Sequence, residues 1–360
     1  MRIAFYAPLK APGHPVPSGD RQMARLLIAA LERAGHRVQV VSELRAYLPD
    51  AEDAAGLRAL REAAAQEALR IGREWQAEGA PDLWFCYHPY YKSPDLIGPA
   101  LCGRFGLPWI CAEASLSARR SQGIWAETQA EVAAALRDAA LTIGMTARDR
   151  DGIAQLCPGA RIAPLRPFID TAALPAPAPA ADGPLVTVAM MRPGDKMESY
   201  RALAAALGQV RVDWRLEVAG DGPMGAEVRA LFPQGKVRWH GQLPPQGIAA
   251  LLHRGGIHAW PGCGEAYGLA YLEAQAAGLP VVAWATAGVP EVVRHGETGL
   301  LSTPGDTGAL AADIDRLLAD PVLRRQMGAQ ARRRVLADHG LESAAAELGR
   351  LLHGVKETRP

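Results

Sequence analysis

The sequence predicts an α/β protein of two doubly wound domains, each a parallel sheet covered by helices, facing a central cleft. Three observations carry that expectation. Short apolar segments alternate with helical patterns almost from end to end, which builds parallel sheets with helices on both faces. At 360 residues the chain is too long for one compact core and fits two ordinary domains. Residues 174–184 read LPAPAPAADGP, an alternation of Pro and Ala that forms neither helix nor ladder, and the strand–helix alternation restarts after it. The expected boundaries are 1–174 for the first domain, 175–184 for a linker, 185–340 for the second domain, and 341–360 for a terminal helix packing back on the first.

Residues 2–7 are apolar and short, and read as the first strand; a secretory leader needs a longer apolar stretch and a small-residue cleavage site. A loop rich in Pro, Gly and His follows over 8–19. Helical periodicity over 20–34 then ends where Gly35 supplies a left-handed cap. Residues 37–42 are strand, 51–78 a long Ala/Glu/Arg helix solvated along one face, and 82–87, 108–111 and 141–145 further strands. Beyond the linker, 185–190, 215–219, 236–240, 256–260 and 280–284 read as strands with helices between. Amphipathic helices over 307–318, 321–338 and 341–353 close the chain. Ligands of open parallel sheets bind outside the carboxyl ends of the strands, so two facing halves would share one site.

Composition narrows the function. A chain 49% hydrophobic and 21% charged is globular, and a net charge of +1 gives no reason to expect nucleic acid. Five cysteines without a C-x-x-C pair suggest buried thiols in a reducing compartment, not a disulfide frame or zinc site. No run approaches the ~20 apolar residues that span a bilayer. The expectation is a cytoplasmic protein. Arg21, Arg25, Arg33 and Arg37 give the first helix a basic side, read as a solvated face, with weak peripheral membrane contact as the alternative.

The chemistry concentrates in residues 261–290, PGCGEAYGLAYLEAQAAGLPVVAWATAGVP. A helix is expected from near Ala266 to before Gly278. Two glutamates, Glu265 and Glu273, would then lie ~12 Å apart along it, comparable to the span from a sugar ring across a diphosphate to a ribose. The helix start between them offers free N–H groups and a positive dipole end to phosphate. Two surface acids are the plainer reading, but the helix is apolar nearly all round, and a glutamate in a buried helix needs a partner or ligand. At the end of the first strand after the linker, Arg192 and Lys196 can neutralise a diphosphate without a metal.

The run GEAYGLAYLEAQAAGLPVVAWATAGVPEVVRHGETGLLSTPGD (264–306) resembles the donor site of the group 1, family 4 retaining glycosyltransferases with their Glu-x7-Glu motif. Residues 188–196 (VAMMRPGDK) resemble that family's strand followed by Arg and Lys, 218–224 (VAGDGPM) its Gly-Asp-Gly-Pro loop, and 237–241 (VRWHG) its short strand ending in Gly. The first half is only loosely similar: PSGDR (17–21), containing Gly19, stands where the family has a Gly-Gly turn, and AGH (34–36) matches.

The resemblance implies a GT-B type fold of two Rossmann-like domains. It implies retaining transfer of a hexosyl sugar from a nucleotide diphosphate sugar to an acceptor hydroxyl on a glycan, lipid or small metabolite, with no cofactor and no metal. Arg192 and Lys196 would hold the donor diphosphate, Glu265 the sugar hydroxyls and Glu273 the ribose diol. Gly220, Asp221, Gly222 and Pro223 would border the base, and Tyr267, Gly268 and Leu269 would offer backbone N–H groups to sugar and phosphates. The family commonly places a His after the fourth strand of the first domain. This chain has AEASLSARR (112–120) there, with Glu113 or Ser115 as substitutes and Arg119 facing an anionic acceptor or water. His88, in a loop after a strand, is either structural or a ligand for acceptor or sugar.

Other patterns are set aside. Residues 220–225 satisfy G-x-G-x-x-G but follow the second strand after the linker and contain Pro223, unlike a dinucleotide fingerprint. The D-x-D triplets at 149–151 and 313–315 lie in helical context and read as surface acids. His240, His258 and His295 read as structural. The rival functions are a nucleotide-sugar epimerase, which would convert donor without acceptor, and a non-catalytic nucleotide-sugar binding protein.

Overall fold

The computed structural model describes residues 1–16, 18–120, 122–172 and 183–357, so the expected linker lies outside the described residues except for Gly183 and Pro184. The chain divides into two compact units. One comprises Met1–Arg166 with the C-terminal segment from Leu341, the other Pro167–Gly340. The division falls at 166/167 and not after 174, because residues 167–169 are tied to the end of the second unit. The Ile169 N–H donates to the His339 carbonyl at 2.9 Å, and His339 Nδ1 meets the Pro167 carbonyl at 2.7 Å.

The first unit runs β1 (Arg2–Tyr6), α1 (Gly19–Arg33), β2 (Arg37–Ser42), α2 (Ala54–Glu78), β3 (Leu83–Tyr87), α3 (Gly98–Phe105), β4 (Trp109–Ala112), a 3-10 turn (Ala118–Arg120), α4 (Ile124–Asp138), β5 (Leu141–Gly144), α5 (Ala147–Leu156) and β6 (Ile162–Pro164). All strand pairs are parallel, in the order β2-β1-β3-β4-β5-β6. β3 and β4 are buried at every position, as central strands covered on both faces must be. Buried beside them, Asp95 accepts from the indoles of Trp84 (2.8 Å) and Trp109 (2.9 Å) and from the N–H groups of Ile97 and Gly98, which satisfies its desolvated carboxylate.

The second unit runs β7 (Leu185–Val188), α6 (Asp195–Leu207), β8 (Leu216–Ala219), α7 (Gly225–Ala230), β9 (Val237–Trp239), α8 (Pro245–Arg254), β10 (Ile257–Ala259), α9 (Leu269–Ala276), β11 (Val281–Trp284), α10 (Val289–Val292), β12 (Gly299–Ser302), α11 (Thr307–Ala319) and α12 (Pro321–Asp338). Its sheet is parallel in the order β12-β11-β10-β7-β8-β9, which, read from the β9 edge with strands counted within the unit, is 3-2-1-4-5-6. The final helix, α13 (Leu341–Glu357), belongs to the first unit and packs on α1, with an Arg33–Glu342 ion pair at 2.7 Å.

The structure adds two edge strands, β6 and β12, that the sequence pattern did not reveal. It also corrects one helix: α9 begins at Leu269, so Glu265 precedes it in a loop and the 12 Å helical span does not apply. The basic side of α1 is only partly a solvated face. Arg21 donates to the His14 and Pro15 carbonyls and Arg25 to the Pro12 carbonyl, clamping the loop after β1. Among the described residues no helix is long and apolar enough to cross a membrane, and no three His, Cys, Asp or Glu side chains gather to hold a metal ion. Cys86, Cys102, Cys111 and Cys157 are buried and Cys263 is half-buried, and none of the five is in a disulfide.

Candidate active site

In the second unit the strand order reverses between β7 and β10, and the segments leaving their carboxyl ends carry the predicted donor residues. Arg192 and Lys196 leave β7, while Glu265 leaves β10. Lys196 sits in the first turn of α6, where the positive dipole end disfavours a cation, so its charge needs an anion nearby. It has one, because the Lys196 ammonium pairs with Glu265 Oε1. The same oxygen accepts from the Trp260 indole at 3.2 Å. Arg192 is half-buried and makes no hydrogen bond or ion pair among the described residues.

The loop after β8 is locked to the loop after β7. The Met191 N–H donates to the Asp221 carbonyl (2.9 Å), and the Met224 N–H returns to the Met191 carbonyl (3.1 Å). A Cβ on Gly220 would stand 1.8 Å from the Ala189 carbonyl oxygen and one on Gly222 2.2 Å from that of Met191, so both positions admit only glycine. Asp221 accepts from the Gly222 N–H at 2.8 Å, and Pro223 completes the turn. The predicted base-bordering residues thus lie directly against the loop that carries Arg192.

Gly268, at φ +77°, caps α9 without a side chain, and Leu269 is its first residue, so the earliest N–H groups of this helix have no intrahelical partner. Tyr267 is buried. Glu273 lies one turn further on, half-buried, and burial pushes its carboxyl up to about 7.

In the first unit the order reverses between β1 and β3, and there Gly19 and Asp20 open α1 while His88 follows β3. His88 Nδ1 lies 3.3 Å from Asp20 Oδ1, an ion-pair contact whose alignment falls short of a hydrogen bond. Burial alone would lower the His88 pKa, but Asp20, helped by the fields of Glu113 and Asp149, raises it. Burial opposes the Asp20 charge as well, and His88 nevertheless brings its pKa below the usual carboxylate value. His88 (φ 60°) and Glu113 (φ 57°) both take left-handed conformations just past adjacent strands. The Tyr90 ring stacks on the His88 imidazole at 5.2 Å, and Tyr90 bridges to Ser115, so His88, Glu113 and Ser115 share one sheet edge. Arg119 is exposed in the 3-10 turn and makes no ion pair among the described residues.

Sequence reading missed two residues of these sites, Asp20 and Trp260. The patterns set aside have structural uses. Thr146 caps α5 and donates to Asp149 at 2.6 Å, and Asp315 accepts from the Arg211 and Val212 N–H groups at 2.9 and 3.0 Å. His240 pairs with Glu217 at 2.8 Å, His295 accepts from the Leu301 N–H at 3.0 Å, and His258 is buried in β10.

Residues 184–320 match the family model described as Glycosyl transferases group 1. Over 122 residues the chain is 39% identical to an exopolysaccharide phosphotransferase of Streptomyces coelicolor, covering 33% of this chain and 13% of that protein. Over 148 residues it is 32% identical to the N-acetyl-alpha-D-glucosaminyl L-malate synthase of Bacillus anthracis, covering 40% and 38%. The matches therefore span well under two thirds of these relatives. The whole fold is similar to a sucrose-phosphate synthase of Thermosynechococcus elongatus (TM-score 0.78, 23% identity, 99% and 100% of the two chains). It is also similar to Anabaena HepE, solved with UDP and glucose (TM-score 0.72, 17% identity, 98% and 100%). The two parallel sheets with flanking helices are Rossmann-like units of the GT-B class.

Proposed function

We propose that this chain, which carries a group 1 glycosyltransferase segment over residues 184–320, transfers a hexosyl unit from a nucleotide diphosphate sugar to an acceptor hydroxyl with retention at the anomeric carbon and without a metal. The observation that carries the reading is the Lys196–Glu265 pair at the β7/β10 reversal, with Arg192 on the loop that leads from β7 into the first turn of α6, where Lys196 sits. Two cations on the β7–α6 connection and the first turn of α6, and one carboxylate, supply complementary needs. Arg192 and Lys196 neutralise the diphosphate as its charge grows, and Glu265 accepts from sugar hydroxyls. Glu273 accepts from the ribose diol, and the N–H groups at the start of α9 face the phosphates.

In the step itself the bond from the anomeric carbon to the diphosphate oxygen breaks, and the acceptor oxygen bonds that carbon on the same face. The acceptor proton passes to the departing diphosphate. The acceptor is a glycan, lipid or small metabolite held by the first unit, where His88, Asp20, Glu113 and Ser115 line one edge. The setting is cytoplasmic.

A thermal-shift panel of UDP-, GDP- and ADP-sugars, each with and without EDTA, tests the reading. One nucleotide should raise Tm, equally with EDTA, and Lys196→Ala should abolish the shift. Full turnover in Lys196→Ala or Glu265→Gln would remove these residues from the site. Conversion of donor without acceptor, in place of transfer, would identify an epimerase.

A further inference from the structure

Trp260 has no role in the steps above, yet it touches both charges of the donor pair. It follows β10 at the carboxyl edge and is 2% exposed. Its indole N–H donates to the Glu265 oxygen that pairs with Lys196, and its ring lies 5.7 Å from the Lys196 ammonium. Lys196 and Trp260 both use Oε1, while Oε2 accepts no hydrogen bond among the described residues. The indole is itself held in place. Tyr200 packs edge-on at 4.9 Å and 73°, the Tyr271 hydroxyl donates to the Trp260 carbonyl at 3.1 Å, and the Trp260 backbone N–H donates to the Val282 carbonyl at 3.0 Å.

We propose that Trp260 is a positioning residue for the transfer reaction, its indole N–H fixing one oxygen of Glu265 beside Lys196 so that the other is presented to the donor sugar. This rests on the donor-site reading above. A buried tryptophan often serves packing alone, and its N–H then commonly meets a backbone carbonyl. Here the N–H meets the carboxylate that the chemistry needs. The terminal torsion of a glutamate is soft, and two hydrogen-bond partners on one oxygen remove that freedom. Loss of the N–H therefore degrades sugar orientation at the moment of transfer and leaves the diphosphate and ribose contacts in place.

Trp260→Phe keeps an aromatic ring beneath Lys196 and removes the N–H. The expected result is a kcat lower by about 10- to 100-fold. Donor KM and the Kd for UDP, GDP or ADP, whichever matches the donor, should stay within about 3-fold, as for an interaction made in the transition state alone. Unchanged kcat overturns the proposal, and so does a parallel loss of kcat, nucleotide affinity and melting temperature, which is what a packing role produces. A second measurement needs neither activity nor ligand. The indole cross-peak of Trp260 in a ¹H–¹⁵N spectrum, assigned by its loss in Trp260→Phe, should shift in Glu265→Gln; an indifferent peak overturns the assignment. A wild-type protein that binds no nucleotide sugar overturns the donor reading instead, and the cross-peak comparison separates the two failures.

Discussion

Glu273 is a predicted donor contact whose environment moves it well away from its solution chemistry. Burial places its carboxyl at about 7, against an ordinary 4.5. A raised folded pKa contributes stability that is fully present below 4.5 and is lost as pH rises through about 7, at most about 3 kcal/mol. Nucleotide binding should run the other way, because a ribose diol donates to the ionised form. Titration calorimetry with the matching nucleoside diphosphate at pH 6 and pH 8 should therefore show tighter binding at pH 8. Glu273→Gln should bind weakly at both and should gain thermal stability relative to wild type as pH rises. An unaltered pH dependence in the variant would remove Glu273 from the nucleotide contact. Glu273 was legible in sequence, because an acid in an apolar helical run is costly without a purpose; Glu265 was singled out on the same premise but stands in the loop before α9. Trp260 was not legible, since a tryptophan ahead of a proline reads as core. The Asp20–His88 contact was not either, because it exists only through the placement of β1 beside β3.

At the scale of elements, the glycine pattern at 220–225 has a structural origin that its match to a dinucleotide fingerprint hides. The loops after β7 and β8 are zipped through Met191, and the first two glycines are where a Cβ would strike the facing carbonyls. The third, Gly225, begins α7 and meets nothing closer than 3.7 Å. Gly222→Ala should thus cost about 2 kcal/mol or more from overpacking. Gly225→Ala should be neutral or stabilising by up to about 1 kcal/mol, through helix propensity. Denaturant unfolding of the two variants checks the contrast, and equal losses would mean that the zipped loops yield easily. Strand cores were legible because β3, β4, β10 and β11 are buried along their whole length and so read as apolar runs. The edge strands β6 and β12 are three and four residues long, and Pro164 and Gly299 blur them. The start of α9 was misplaced because Glu265, Ala266 and Tyr267 suit a helix. The turn is set by Gly262, Gly264 and Gly268, all at positive φ, whose spacing names no boundary.

For the molecule as a whole, the chain passes from the first unit to the second between Arg166 and Pro167, ahead of the Pro/Ala run that reads as a linker in sequence. The second passage carries no compositional mark. The chain returns to the first unit between Gly340 and Leu341, directly between two helical patterns. What brings α13 back is an apolar face: Ala344, Ala345, Leu348 and Leu352 are all buried. Helix formation in α13 depends on that burial, since isolated helices of this length are marginal in water. Leu348→Ala should therefore cost about 2–5 kcal/mol. The loss should be local, because α13 packs on α1 within a unit that has its own sheet and core. Hydrogen exchange should accelerate in α13, α1 and the flanking β1 and β2, while amides of β7, β10 and α9 keep their wild-type rates. Nucleotide binding, read on the second unit, should likewise keep its affinity. Equal acceleration in β7 and β10 would mean that α13 supports both units, and loss of nucleotide affinity would make the final helix part of the donor site's support.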